Sequence, residues 1–194
     1  FSMLQLLIDD KHDEEELVLL FKDEVSNKTL ITYNGDSFDI PFINSKLVKY
    51  GHKPLDNTSF DIMKYTKANK YYLSLENHKL KVLENHLGIN RDDIYSGKDC
   101  IQFYKDYQNS KDDEMLNRIL KHNHDDIYSM PKLLSVIPLV ESRKKIKVKD
   151  TLISIDDISL DNDMVNVNGK VLESKSIDQS LYHNYYNIRI ENNK

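Results

Sequence analysis

The stretch Tyr33-Asn34-Gly35-Asp36-Ser37-Phe38-Asp39-Ile40-Pro41-Phe42 decides how this chain is read. Thr29 to Tyr33 reads as a strand, and the Asn34-Gly35 turn signal stops it. A helix is expected from Ser37 to Tyr50, with Pro41 in its first turn and Gly51 at its end. Phe38, Phe42, Leu47 and Val48 are assigned to its inner face, the two phenylalanines anchoring the turn in the core. Such a strand-turn-helix projects Asp39 from the carboxyl end of a strand, where open α/β sheets place their ligands. An acid in a first helical turn also simply complements the helix dipole. The stretch alone therefore does not separate a functional carboxylate from an ordinary helix start.

Working outward, Met3 to Ile8 is short and apolar and is expected as a strand. Asp13 to Glu16 then open a helix that carries Leu17, Val18, Leu20 and Phe21. On the other side, Asn57 to Phe60 is expected as a short strand leading into a helix over Asp61 to Lys67. Leu80, Leu83 and Leu87 mark an amphipathic helix closed by Gly88, and another helix covers Lys98 to Tyr107. The longest helix starts near Asp112 and runs through Met115, Leu116, Ile119 and Leu120 to Ile127, with Pro131 interrupting or kinking it. Leu133 to Val140 continues as apolar helix.

Past Lys145 the texture changes. Val148, Leu152, Ile153, Ile155 and Ile158 are interleaved with polar residues, and Asn168-Gly169 between alternating segments signals a hairpin turn. The organisation expected is a main domain over residues 1–145 and a small β-rich extension over 146–194.

Composition bounds the function. A net charge of -5 argues against binding nucleic acid through bulk positive potential, yet a metal-dependent nuclease site must itself be acidic. The basic run Arg143, Lys144, Lys145, Lys147 and Lys149 reads as a solvated connector, with a phosphate-contacting edge as the alternative. The single cysteine, Cys100, excludes an internal disulfide and fits a reducing cytosol, so a cytoplasmic location is expected. No apolar run reaches the length of a membrane span.

A second constellation lies in the long helix, Lys121-His122-Asn123-His124-Asp125-Asp126-Ile127. His122 and Asp126 are four apart and share a face. An imidazole beside a metal-bound carboxylate takes a proton from an attacking water; a solvated polar face with helix-supporting pairs has the same pattern. His124 and Asp125 are assigned to the surface.

Taken together, the two segments resemble the DEDD 3′–5′ exonucleases of the RNase H-like superfamily, and within it the YprB-like ribonuclease-H-like branch. Leu30 to Phe42 looks like the family's second motif, and His122-Asn123 with Asp126 looks like its third. Between them, Leu80 to Gly88 and then Arg91-Asp92-Asp93-Ile94 with Gly97 resemble the family's linking helix and connection, followed by Tyr104 and Tyr107. The resemblance covers roughly residues 4–140. It implies an α/β, RNase H-like mixed sheet with flanking helices. It also implies hydrolysis of DNA or RNA phosphodiester bonds from a single-stranded end, with two Mg²⁺ or Mn²⁺ ions about 3.5–4 Å apart held by four carboxylates. On this resemblance Asp39 and Asp126 are metal ligands, His122 is the general base or water positioner, and Asn34 orients the substrate or the turn.

The family's first motif, an Asp-x-Glu on the opening strand, has no counterpart here. Met3 to Ile8 corresponds to the family's third strand, so the chain is expected to be N-terminally incomplete, beginning about two strands late. Asp9 and Asp10 are poor substitutes. The strands on either side of the gap would be left with unpaired edges, to be rearranged, completed by other residues, or paired by strand exchange or oligomerisation. Two further readings stand beside the nuclease: a non-catalytic nucleic-acid-binding module, and a structural α/β domain whose acids are surface groups.

Overall fold

The computed structural model describes residues 2–8, 13–91, 95–148, 150–161, 164–173, 179–183 and 186–190. They form two compact units, Phe1–Val136 and Ile137–Lys194.

In the first unit, helix α1 (Glu14–Val25) leads to strand β1 (Leu30–Thr32), helix α2 (Asp39–Lys49) and strand β2 (Ser59–Asp61). The two strands pair in parallel, with Leu30 opposite Ser59 and Thr32 opposite Asp61. A parallel pair requires a crossover, and α2 supplies it. Asn57 closes the hairpin-free end of this pair by donating from its side-chain amide to Val25 O at 2.6 Å and Lys28 O at 2.8 Å. Five helices follow: α3 (Ile62–Ala68), the single turn α4 (Lys70–Leu73), α5 (Leu80–His86), α6 (Gly97–Ser110) and α7 (Asp113–Leu133). Leu47, Ile62, Leu73, Leu83 and Leu133 are fully buried and form the centre of this unit.

Local chemistry explains most of the boundaries. Ser96 and Asp99 form a reciprocal capping box at the start of α6. Asp112 caps α7, its side chain accepting the Glu114 N–H at 2.8 Å. Gly88, with φ +70, stops the turn after α5. The N-terminal end of α1 is joined to the C-terminal end of α2 through Glu14, whose carboxylate accepts from Lys46, from Lys49 at 2.8 Å and from the Tyr50 hydroxyl at 2.6 Å. Those hydrogen bonds pull the Glu14 carboxyl down to a pKa of about 2.

Two expectations for this unit are corrected. Residues 2–8 adopt no strand; Gln5 instead donates its side-chain amide to Leu120 O and to Asn123 Oδ1, both at 2.9 Å. A short apolar run becomes a strand only where a neighbouring edge receives its backbone, and here the segment is held by α7 through a side chain. Phe38 and Phe42 do not anchor the turn in the core: they are 69% and 62% exposed, and Val48 is exposed too, while Leu47 is fully buried. Ile40, Ile43 and Leu47, spaced by three and four, share one helical face. Phe42 lies off it, under the Lys46 ammonium at 5.2 Å.

The second unit opens within helix α8 (Val136–Arg143) and continues as strands β3 (Lys145–Val148), β4 (Thr151–Asp161) and β5 (Met164–Glu173), an antiparallel sheet in the order β3-β4-β5. Lys145 and Lys147 occupy the exposed positions of β3 and Ile146 and Val148 the covered ones. Strands β6 (Gln179–His183) and β7 (Tyr186–Ile190) form a separate antiparallel pair. Asn168-Gly169 is not a hairpin turn. Both residues lie inside β5, opposite Asp157 and Ile155, where the register shifts. A Cβ on Gly169 would stand 2.3 Å from Ser154 O, so glycine serves here for close strand approach at a bulge. Among the described residues no helix is long and apolar enough to cross a membrane.

Candidate active site

Strand β1 ends at Thr32, and the chain then reverses through a turn fixed from beneath. Asn34 adopts a left-handed φ of 65°, a conformation asparagine tolerates better than most side chains. Gly35 is buried against Thr32, and a Cβ there would meet the Thr32 Cβ at 2.5 Å. Asp61, at the end of β2, organises the rest. Its carboxylate accepts the Asn34 N–H at 2.9 Å and the Asp36 N–H at 3.3 Å, and it caps α3 by accepting the Met63 N–H at 2.9 Å. Asp61 is 5% exposed, so these bonds operate away from water. Asp36 is held in turn by Lys64 Nζ at 2.6 Å and by the Ser59 hydroxyl, which lower its pKa in that order.

This clamp delivers Asp39 to the first residue of α2. Its carboxyl keeps solvent access but is crowded by protein. That partial burial raises its pKa and the Asp61 charge adds to the rise, against a lowering hydrogen bond from its own backbone N–H. The sign is opposite to that of an acid merely resting on a helix dipole.

On α7, His122 Nε2 stands 3.6 Å from Asp126 Oδ2, too long for a hydrogen bond but within ion-pair range. The His122 side chain is 14% exposed. His124 turns elsewhere: its ring stacks on Tyr128 and its Nδ1 lies 3.2 Å from Asp125 Oδ1. Asp126 has a second neighbour that the sequence pattern does not announce. Arg91 donates through Nη2 to Asp126 Oδ1 and through Nη1 to Glu84 Oε2 at 3.1 Å. The Arg91 side chain is 8% exposed and that of Glu84 fully buried. Burial opposes the Arg91 charge, but the hydrogen bond to Asp126 and the charges of Asp126 and Glu84 outweigh it and raise the Arg91 pKa.

Asp39 and Asp126 line one cleft of about 870 Å³. Leu30, Ile31 and Thr32 of β1, with Tyr33 and Asn34, form one part of its lining; Asn123, Asp126, Ile127 and Met130 of α7 form another. Lys28 and Lys79 also reach it. Of the residues singled out from sequence, Asn34, Asp39 and Asp126 thus share this cleft, with His122 beside Asp126. Asp9 and Asp10 lie outside the described residues. Among the described residues no group of three or more His, Cys, Asp or Glu side chains is arranged to hold a metal ion. With Asp126 Oδ1 also engaged by Arg91, these side chains do not by themselves fit a two-metal centre, which needs more oxygen ligands.

Residues 1–137 match the sequence model of the RNase H superfamily. The chain belongs to that superfamily. It is also similar to the PolC-type DNA polymerase III of Ureaplasma parvum serovar 3, with 36% identity over 67 residues. That alignment takes in 34% of this chain and 5% of the polymerase, so the chain corresponds to a small part of that protein's length. The RNase H-like fold expected from the two motifs is therefore established, as is its mixed α/β character. Asp61, Glu84 and Arg91 were missed as parts of the site. Asp61 had a readable signal, an Asp closing a strand and preceding Ile62-Met63, the pattern of an N-cap. Glu84 and Arg91 meet across the end of α5, which no helical spacing encodes.

Proposed function

We propose that this chain is a nuclease-type module of the DEDD 3′–5′ exonuclease branch, acting on phosphodiester bonds at a single-stranded DNA or RNA end. One observation carries the reading: in a member of the RNase H superfamily, the acids of two separate motifs, Asp39 and Asp126, line the same cleft. In this reading the two carboxylates are half of the ligand set for Mg²⁺ or Mn²⁺. The other half comes from an Asp-x-Glu strand supplied by another segment or molecule. His122, beside Asp126, takes up a proton from the attacking water, and Asn34 orients substrate at the turn. Lys28 and Lys79 offset the phosphate charge in a chain that is acidic as a whole.

Ligand count then sets the activity. Two carboxylates leave most of the coordination to water, and Mg²⁺ exchanges water for protein oxygens reluctantly. The 194-residue chain by itself is expected to bind divalent ions weakly and to cleave little. A labelled single-stranded DNA and RNA digestion with Mn²⁺, with and without EDTA, tests this. The chain alone should be nearly inert, and a chain carrying an added Asp-x-Glu strand should cleave until Asp39→Ala or Asp126→Ala abolishes it. Robust EDTA-sensitive cleavage by the chain alone would refute the ligand count. The second reading, a binding module without catalysis, is favoured by the hold of Arg91 on Asp126, and inert strand-completed protein would bring it to the front.

A further inference from the structure

Residues 62–75 carry Lys64, Lys67 and Lys70 and no acid, in a chain whose acids outnumber its lysines and arginines by 32 to 27. Ile62, Thr66, Asn69 and Leu73, spaced by four, three and four, are the buried positions of this stretch, so α3 and α4 turn one continuous face inward. Asn69 fastens the junction of the two helices, its side-chain amide donating to Tyr65 O at 2.9 Å. Lys64, Lys67, Lys70 and Tyr71 are left exposed. Tyr71 is 80% exposed, and Lys70 Nζ stands 4.9 Å from the centre of its ring. A ring held this far out of the core adds little to packing and keeps most of its aromatic surface open to solvent. The ridge adjoins the cleft on both sides along the chain, since Met63 of α3 and Lys79 beyond α4 line it. Lys64 Nζ also bonds Asp36 Oδ2 at 2.6 Å, in the turn that delivers Asp39.

We propose that Lys67, Lys70 and Tyr71 form a binding ridge for single-stranded nucleic acid, holding the strand whose end enters the cleft. The two ammonium groups contact phosphates and the Tyr71 ring stacks on a base. The inference rests on the nuclease reading of the cleft and extends it to the part of the strand that is not cut. Charge selects the occupant. A chain that is acidic as a whole repels a polyanion except where lysines gather without acids. Here the preceding acid, Asp61, is buried and committed to the turn amides, and the next one along the chain is Glu76. The open ring then favours unpaired bases, because every base has a face to stack, whereas the bases of a duplex already stack on one another. An acidic peptide would satisfy the lysines and leave the ring unused. Lys64 is occupied by Asp36 and stays outside the contact set.

The test is fluorescence anisotropy of a labelled oligothymidylate with the full chain, in EDTA so that no cleavage occurs. All the substituted side chains are exposed, and circular dichroism checks each fold. Tyr71→Ala should weaken binding about tenfold at a fixed salt concentration, and Tyr71→Phe, which keeps the ring, should bind like the parent. Lys67→Gln/Lys70→Gln should flatten the plot of log affinity against log salt by about 1.4, at about 0.7 for each single-strand phosphate contact removed. Lys98→Gln/Lys105→Gln, which removes the same charge from α6, should leave that slope unchanged. Equal flattening in the α6 variant would reduce the effect to bulk charge and overturn the ridge. An unchanged affinity in Tyr71→Ala overturns it too, as does failure of the parent to bind at low salt. A polyglutamate peptide that binds as tightly as the oligonucleotide, and weakens in the same variants, would assign the surface to an acidic protein instead. Cleavage by the strand-completed protein judges the nuclease reading separately, so an active cleft beside a ridge that binds no strand refutes this inference alone.

Discussion

Replacing Asp61 by alanine removes one carboxylate that performs two tasks. Loss of the α3 cap costs about 1 kcal/mol. The two turn amides that it receives, from Asn34 at 2.9 Å and Asp36 at 3.3 Å, are hydrogen bonds to a charged acceptor. Such bonds contribute about 1.5–3 kcal/mol each when well formed, and the longer one belongs at or below the low end. The total is roughly 3–4 kcal/mol, undiminished by solvent screening because Asp61 is almost fully covered. For a unit of this size that corresponds to a fall in melting temperature of about 10 °C, read by calorimetry. Asp61→Asn, which keeps one acceptor but turns an N–H₂ toward other donors, should fall between the parent and Asp61→Ala. Carbon-13 titration gives an independent readout: the Asp61 charge helps to raise the Asp39 pKa, so Asp61→Asn should lower it. A melting change under about 2 °C in Asp61→Ala would refute the view that this carboxylate holds the turn.

Gly35→Ala should destabilise the first unit by about 1–3 kcal/mol in urea unfolding, because the added methyl meets the Thr32 Cβ and the buried turn has little room to shift. The Glu14 pKa, lowered from 4.5 to about 2, means that its stabilising effect is complete above pH 4.5 and is lost as pH falls toward 2. Glu14→Gln should accordingly lower stability at neutral pH and flatten the pH dependence of unfolding between those two values.

The legible parts of the molecule were those written in local chemistry. The Asn34-Gly35 turn, the helix start near Asp112 and the stop at Gly88 each depend on a few adjacent residues, and the helices appeared close to where those signals put them. His122 and Asp126 could be paired because helical spacing fixes their neighbourhood. What failed depended on distant partners. Residues 2–8 needed a neighbouring edge to become a strand. Phe38 and Phe42 were assigned inward from hydrophobicity, although Ile40, Ile43 and Leu47 already filled that face. Gly169 was taken for a turn because the approach of Ser154 from the facing strand is invisible along the chain. Arg91 escaped as a site residue for the same reason: its two carboxylates come from different helices.

The parallel pair β1–β2 has a bearing on how the molecule assembles in time. Each strand contributes three residues, and the chain between them carries the whole of α2. So short a ladder cannot offset the entropy of closing that loop until α2 has docked. The contacts of Glu14 with Lys46 and Lys49 fix α2 against α1 and so reduce the loop entropy that the ladder must offset. Interactions made after the rate-limiting step govern the unfolding rate and leave the folding rate nearly unchanged. If the turn that carries Asp39 closes after that step, Asp61→Ala should speed unfolding and leave the folding rate nearly unchanged, which stopped-flow measurements in urea would read.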